Sequence, residues 1–243
     1  MTTVVFDLDG TTIFKGQKMS LEIEVAITTL SRVSEVVFAS ARPIRDMLPV
    51  LPKAFHEFTL IGGNGAFIQY DGKISTISFT DRERALIIDL IHHYQLDYMV
   101  DSDRDYAYRG DLNHPLYLNV DPLKLAANLP LRELPSIVKA VFFTMEEEIV
   151  NTLLSADLCV HRHGSESLIV ISPQGVSKWE GYQQIKSSNS LMMFGNDTND
   201  LPMFEKASVN YVVGDLLQDV PNAKYIEAKD VARTITCLAS ELM

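Results

Sequence analysis

The sequence predicts an α/β protein, with a Rossmann-like parallel-sheet core that carries an inserted, smaller α+β domain. Three observations lead there. Short apolar runs rich in β-branched residues, at 3–6, 35–39, 190–194 and 208–213, alternate with segments of helical period, the pattern of βαβ units. From about 80 to 163 that rhythm breaks, and strand-like runs interleave with two helical segments in another order. The composition supports a large core, since 243 residues at 47% hydrophobic and 22% charged fall in the globular class rather than the disordered one.

The elements follow in chain order. Run 3–6 reads as a first strand. Ser20 then reads as an N-cap, with Glu22 and Glu24 at the positive end of a helix and Ile23, Ile27 and Leu30 along one face. A second strand falls at 35–39. Thr80 with Glu83, Thr144 with Glu147 and Ser177 with Glu180 have capping-box spacing, so each marks a helix start. Between the first two boxes lie strand-like runs at 97–100, 117–120 and 138–144. This pattern change sets the domains at 1–79 and 164–243 for the core and 80–163 for the insert. The insert is also the most acidic part, with 14 Asp and Glu against 8 Lys and Arg.

Charge excludes some partners. A net charge of −11 and a pI near 4.9 argue against nucleic acid and anionic membranes, whose binding relies on Lys and Arg. Cys159 and Cys237 lack CxxC spacing, which fits a reducing compartment. The first residues lack the basic start and apolar stretch of a signal peptide, and no run nears the ~20 apolar residues that span a bilayer. The expectation is a soluble, cytoplasmic protein.

In an open parallel sheet, ligands bind beyond the carboxyl ends of the strands. Three polar clusters lie there: Asp7-Leu8-Asp9-Gly10-Thr11-Thr12, Ser40-Ala41-Arg42, and Gly195-Asn196-Asp197-Thr198-Asn199-Asp200. Asp7 and Asp9, two apart at a strand end, can project to one side and share a hard cation; a solvated Asp-Gly turn is the plain alternative. Lys178, inside the helix capped by Ser177, suits a phosphate or is a surface lysine. Ser40 could cap the turn before Pro43, and Arg42 could be a surface charge.

In order, Asp7-x-Asp9-Gly10-Thr11, Ser40-x-Arg42, Lys178 and Gly195-Asn196-Asp197-x-Asn199-Asp200 resemble the four motifs of haloacid-dehalogenase-like phosphatases. The resemblance is greatest to the Cof-type members, which carry a large α/β cap between the second and third motifs. Gly62-Gly63-Asn64-Gly65-Ala66 also resembles their Asn-Gly-Ala loop. The resemblance implies a Mg²⁺-dependent phosphatase acting on a small phosphorylated metabolite such as a sugar phosphate, as a monomer or homodimer. Asp7 would be the nucleophile that forms an aspartyl-phosphate, and Asp9 the general acid and base. Ser40, Arg42, Lys178 and Asn199 would bind the phosphoryl group. Asp7, Asp9, Asn196 and Asp200 would supply the metal site. A phosphotransferase or mutase acting on sugar phosphates, or a weakly active regulator that binds a phosphometabolite, are the alternatives. The chain departs from the family at Asn196, where Gly-Asp is usual, at Ala41 for Gly and at Trp179 for Gly. An amide oxygen adds no negative charge, so metal affinity falls unless Asp197 or Asp200 compensates.

Other signals carry less. Asp101-x-Asp103-x-Asp105 opens like a calcium loop, but Tyr106 stands at the sixth position and Leu112 at the twelfth. His161-x-His163 lacks a third ligand of suitable spacing, and His92-His93 reads as a helix surface. Neither a Walker loop nor a GxGxxG occurs. Arg104 and Arg109 are candidate substrate contacts or simply a solvated face.

Overall fold

A computed structural model describes residues 2–164, 167–185 and 190–243. The chain divides into two units, Met1–Ile74 with Ser177–Met243 and Ser75–Val176. In the first, β1 (Thr3–Phe6) is entirely buried, as a strand covered on both faces requires. Helix α1 (Leu21–Leu30) begins where Ser20 Oγ accepts from the Ile23 amide at 3.4 Å, and it buries Ile23, Ala26, Ile27 and Leu30. Strand β2 (Glu35–Ala39), the short helix α2 (Ile44–Met47) and strands β3 (Thr59–Gly62), β4 (Phe67–Tyr70) and β5 (Lys73–Thr76) follow.

The second unit opens with helix α3 (Asp81–His93), whose Thr80–Glu83 capping box is complete. Strands β6 (Tyr98–Asp101) and β7 (Tyr106–Arg109), the helical turn α4 (Pro115–Leu118), β8 (Lys139–Phe142), α5 (Glu147–Ser155), β9 (Cys159–His163) and β10 (Leu168–Ser172) complete it. The five strands pair antiparallel in the order β7-β6-β8-β10-β9. Their side chains alternate between faces. Val100, Ala140, Phe142, Ile169 and Ile171 pack with Ile87, Ile91, Ile149 and Leu153 of α3 and α5. Met99, Val141, Leu168 and Val170 meet Tyr108, Tyr117 and Phe143 on the other face.

Three expectations change here. Run 117–120 is not a strand, because Pro115 sits in the first turn of α4 and the His114 ring nitrogen accepts from the Leu116 amide at 3.1 Å. Thr144 does not cap α5. It accepts from the Glu146 amide, and Glu147 instead forms an ion pair with Arg162. The insert also extends past 163, since β10 pairs with both β8 and β9 and the unit ends at Val176.

Back in the first unit, α6 (Lys178–Gln183), β11 (Leu191–Gly195), α7 (Leu201–Phe204), β12 (Val209–Val213), β13 (Ala223–Ile226) and α8 (Val231–Glu241) complete an eight-stranded sheet. Its order is β13-β12-β11-β1-β2-β3-β4-β5. The central strands are parallel, with Phe6 in register with both Phe38 and Phe194. The Phe6 and Phe194 rings stack at 4.8 Å, so three buried phenylalanines lock the carboxyl ends of β1, β2 and β11 at one level. After β1 the chain moves to β2 on one side and later returns to β11 on the other. That change of side makes a crevice at the strand ends, where ligands bind in such sheets. Among the described residues, no helix is long and apolar enough to cross a membrane.

Candidate active site

Asp7 is the first residue beyond β1. Its backbone amide donates to the Phe194 carbonyl at 2.9 Å, and the Thr12 hydroxyl donates to its carbonyl at 2.8 Å. The Asp7 side chain is 6% exposed, and the Thr11 hydroxyl donates to its Oδ2 at 2.9 Å. Gly10 lets the loop turn, with φ at +82° and no space for a side chain, since a Cβ there would lie 2.2 Å from the Asn196 amide group.

Lys178 is fully buried. Its Nζ donates to Asp7 Oδ1 at 2.6 Å and to Asp200 Oδ1 at 2.7 Å. Burial works against the ammonium, but the charges of Asp200 and Asp7 outweigh it and hold the lysine protonated, above its ordinary value. Burial pushes the Asp7 carboxyl up to about 7, opposed by Lys178 and reinforced by Asp200. Asp200 is anchored on its other oxygen, where Oδ2 accepts from the Asn196 amide at 2.9 Å and the Asp197 amide at 3.2 Å. Gly195 makes that possible, because a Cβ there would lie 2.5 Å from Asp200 Oδ2.

Asp9 has a different environment. Its side chain is 47% exposed, and Arg42 forks onto it with Nε to Oδ2 and Nη2 to Oδ1, each 2.7 Å. Ser40, which is buried, accepts the Arg42 amide on its hydroxyl at 3.1 Å. The Ser40 and Arg42 carbonyls accept from the amides of Asn64 and Gly63 at 2.9 and 2.8 Å. Asn64 adopts φ +57°, a left-handed conformation that Asn tolerates, and its Oδ1 accepts from Asn199 Nδ2 at 3.0 Å.

The structure therefore brings Asp7, Lys178, Asp200 and Asn196 together, and it pairs Asp9 with Arg42. Two expectations are redirected. The Arg42 guanidinium is engaged by Asp9 rather than held free for a phosphate. Asp200, expected as a metal ligand, has one oxygen on Lys178 and the other on backbone amides. Asp197 does not replace it, being exposed and accepting on Oδ1 from the Thr198 amide and hydroxyl. Thr11 and Asn64 were visible within the sequence motifs but not as partners of Asp7 and Asn199.

Among the described residues, no three His, Cys, Asp or Glu side chains gather into a metal cage. Oxygen donors do converge elsewhere. A terminal atom of the Asn196 amide lies 3.1 Å from Asp7 Oδ2 and 3.0 Å from the Asp9 carbonyl oxygen. Octahedral Mg²⁺ with oxygens at about 2.1 Å places adjacent ligands about 3 Å apart. The set of Asp7 Oδ2, Asp9 carbonyl and Asn196 Oδ1 thus has edges of the right size, with one carboxylate among the three.

A family model for haloacid dehalogenase-like hydrolases matches residues 4–231. The chain belongs to that family. Solved structures share the fold of this haloacid dehalogenase-like hydrolase at low sequence identity. The subclass IIB sugar phosphatase BT4131 has a TM-score of 0.75 at 15% identity, with all of both chains covered. The phosphatase BT1666 from Bacteroides thetaiotaomicron has a TM-score of 0.76 at 16% identity, covering 100% of this chain and 96% of its own. TM0651 from Thermotoga maritima has a TM-score of 0.78 at 20% identity, covering 98% and 97%. No curated protein sequence matches the chain. In this hydrolase the second and fourth motifs each do one structural task, Arg42 gripping Asp9 and Asp200 gripping Lys178. Cys159 and Cys237 are both free. His161 lies 3.3 Å from the Cys159 sulfur, and the side chain of His163 falls outside the described residues.

Proposed function

We propose that the protein is a phosphoric monoester hydrolase that releases phosphate from a small phosphorylated metabolite through an aspartyl-phosphate on Asp7. The observation that carries this reading is the buried ion trio, in which Lys178 bridges Asp7 and Asp200 while Asp9 lies two residues away at the open side of the loop. The sugar phosphatase among its structural relatives makes a sugar phosphate the first class of substrate to try. A cytoplasmic monomer or homodimer belongs to the same reading.

An oxygen of Asp7 attacks phosphorus, the bond from phosphorus to the ester oxygen breaks, and Asp9 gives that oxygen its proton. Asp9 then removes a proton from the attacking water, the bond between phosphorus and Asp7 breaks, and inorganic phosphate leaves. Arg42 fixes the orientation of the Asp9 carboxylate through both transfers. Lys178 holds Asp7 in place and sets positive charge beside the phosphoryl oxygens, and Ser40 and Asn199 line their approach. Asp7, the Asp9 carbonyl and the Asn196 amide oxygen would hold Mg²⁺. When bound, the ion supplies charge neutralisation for the phosphoryl group and a fixed point for one of its oxygens.

Phosphate release from p-nitrophenyl phosphate and from a panel of phosphorylated sugars tests the proposal. Native protein is expected to turn over at least one of them in the presence of Mg²⁺, and Asp7→Asn none. Full activity in Asp7→Asn would overturn the nucleophile assignment.

A further inference from the structure

His92 and Arg109 have no task in the phosphoryl chemistry, and both line one cavity that lies wholly within the second unit. The cavity holds about 350 Å³ and is built from the last turns of α3, one residue each of β6 and β7, and the turn Leu131–Glu133 with the proline before it. Its floor is apolar. Ile88, Ile91 and Leu131 form it, and Ile91 and Leu131 belong to the buried core of this unit. Tyr98 makes one wall and is the direct partner of Arg109 across β6 and β7, so both side chains leave the sheet on its helix face. Arg109, Arg132 and His92 complete the lining. Among the described residues it holds three basic groups and no carboxylate, although residues 80–163 carry 14 acids against 8 bases.

The two arginines are loosely held. Asp97 stands 3.9 Å from Arg109 and Glu133 stands 3.9 Å from Arg132, beyond hydrogen-bond reach, and all four side chains are exposed. Neither guanidinium donates a hydrogen bond to a described residue. Arg84, Arg104 and Arg162 in the same unit do, to carbonyls or to the Glu147 carboxylate. Arg109 and Arg132 therefore keep their N–H groups for solvent or for a ligand. Burial raises the Tyr98 hydroxyl above the ordinary tyrosine value while the Arg109 charge opposes it, so that charge is felt at the cavity wall.

We propose that this cavity binds a small amphipathic anion, whose apolar body rests on Ile88, Ile91 and Leu131 and whose carboxylate, sulfonate or phosphate head meets Arg109 and Arg132. The floor gains by losing its contact with water, and a guanidinium fork matches such a head with paired hydrogen bonds. Tyr98 and His92 add donors at the rim. The volume, near the lower end for ligand pockets, sets a body of about two or three rings. An inorganic ion leaves the floor wet, and a neutral apolar molecule leaves both arginines unused. The proposal takes nothing from the reading of Asp7, and its test does not use turnover.

The full chain is titrated by fluorescence with 8-anilinonaphthalene-1-sulfonate, an aromatic body with one anionic head, and with N-phenyl-1-naphthylamine, the same body without it. Native protein is expected to bind one equivalent of the sulfonate at least about ten-fold more tightly than the neutral amine. The double variant Arg109→Gln with Arg132→Gln is expected to lose about ten-fold or more of the sulfonate affinity and little of the affinity for the amine. Both arginines are exposed, so its melting temperature stays native. Ile88→Trp, which fills the floor, is expected to weaken both probes; if it does not fold, the arginine variant carries the test. Equal affinity of native protein for the two probes, native-like sulfonate binding by the arginine variant, or undiminished binding by folded Ile88→Trp would overturn the proposal.

Discussion

Arg42 grips Asp9 with two parallel hydrogen bonds of 2.7 Å, joining the loop after β2 to the loop after β1. Only a planar guanidinium makes that fork. Arg42→Lys keeps the charge and loses the geometry, so kcat is expected to fall by about 10- to 100-fold through misplacement of the acid–base group, with KM changed much less. Steady-state kinetics on p-nitrophenyl phosphate check this. A rise in KM at unchanged kcat would show that Arg42 binds substrate instead of positioning Asp9.

Lys178 is the only positive partner that the described contacts give to the buried carboxylates of Asp7 and Asp200. Removing one member of a buried ion cluster leaves charge without compensation, typically at about 3–5 kcal/mol. Lys178→Met is expected to lose stability in that range in urea unfolding. The double variant with Asp200→Asn should recover part of the loss, because one of the two stranded carboxylates is then neutral. A double variant less stable than the sum of the single changes would contradict the ion trio.

Gly195 holds open the space that Asp200 needs. A Cβ at 195 would lie 2.5 Å from Asp200 Oδ2 and 2.9 Å from the Phe204 ring. Gly195→Ala must therefore displace Asp200 or α7, with an expected cost of about 1–3 kcal/mol and a loss of turnover as Lys178 follows its partner. Thermal melts and kinetics on the same sample check both effects. An alanine variant with native stability would mean that α7 yields freely.

A separate pH effect sits in the second unit. The Ser136 and Ser102 hydroxyls donate to Asp103 Oδ1, and the Ser136 bond chiefly holds its carboxyl below the usual aspartate range, with burial opposing. A lowered folded value stabilises the protein above the unfolded pKa of about 3.9, and the benefit disappears as pH falls through the folded value. Ser136→Ala is expected to cost about 0.5–1 kcal/mol at pH 7, allowing for solvent screening, and almost nothing near pH 2. Urea unfolding at the two pH values measures the difference; a gap that does not narrow in acid would exclude Asp103 as the cause.

Much of this site was legible before any coordinates. Polar residues directly after β1, β2 and β11 had to gather at one edge once the strands were parallel, and Ser20, Thr80 and Ser177 mark their helix starts correctly. Partner choice was not legible. Nothing in the sequence couples Arg42 to Asp9 across 33 positions, and the role of Asp200 depends on Gly195 leaving it room. The bound at 164 assigns the residues of β10 to the core because their apolar run, Leu168–Ile171, looks the same in either sheet; periodicity cannot say which neighbours a buried strand takes. Run 117–120 reads as a strand through β-favouring Tyr117 and Val120, while Pro115 and the His114 cap decide the local conformation of α4.

The central claim is that the Asp7 carboxylate becomes phosphorylated. Native protein quenched during turnover and reduced with borohydride, which attacks acyl phosphates, can be digested and mapped by mass spectrometry. The account predicts reduction at Asp7 alone, and only when substrate is present. Continued turnover with no reduction at Asp7, or with reduction at another carboxylate, would contradict it.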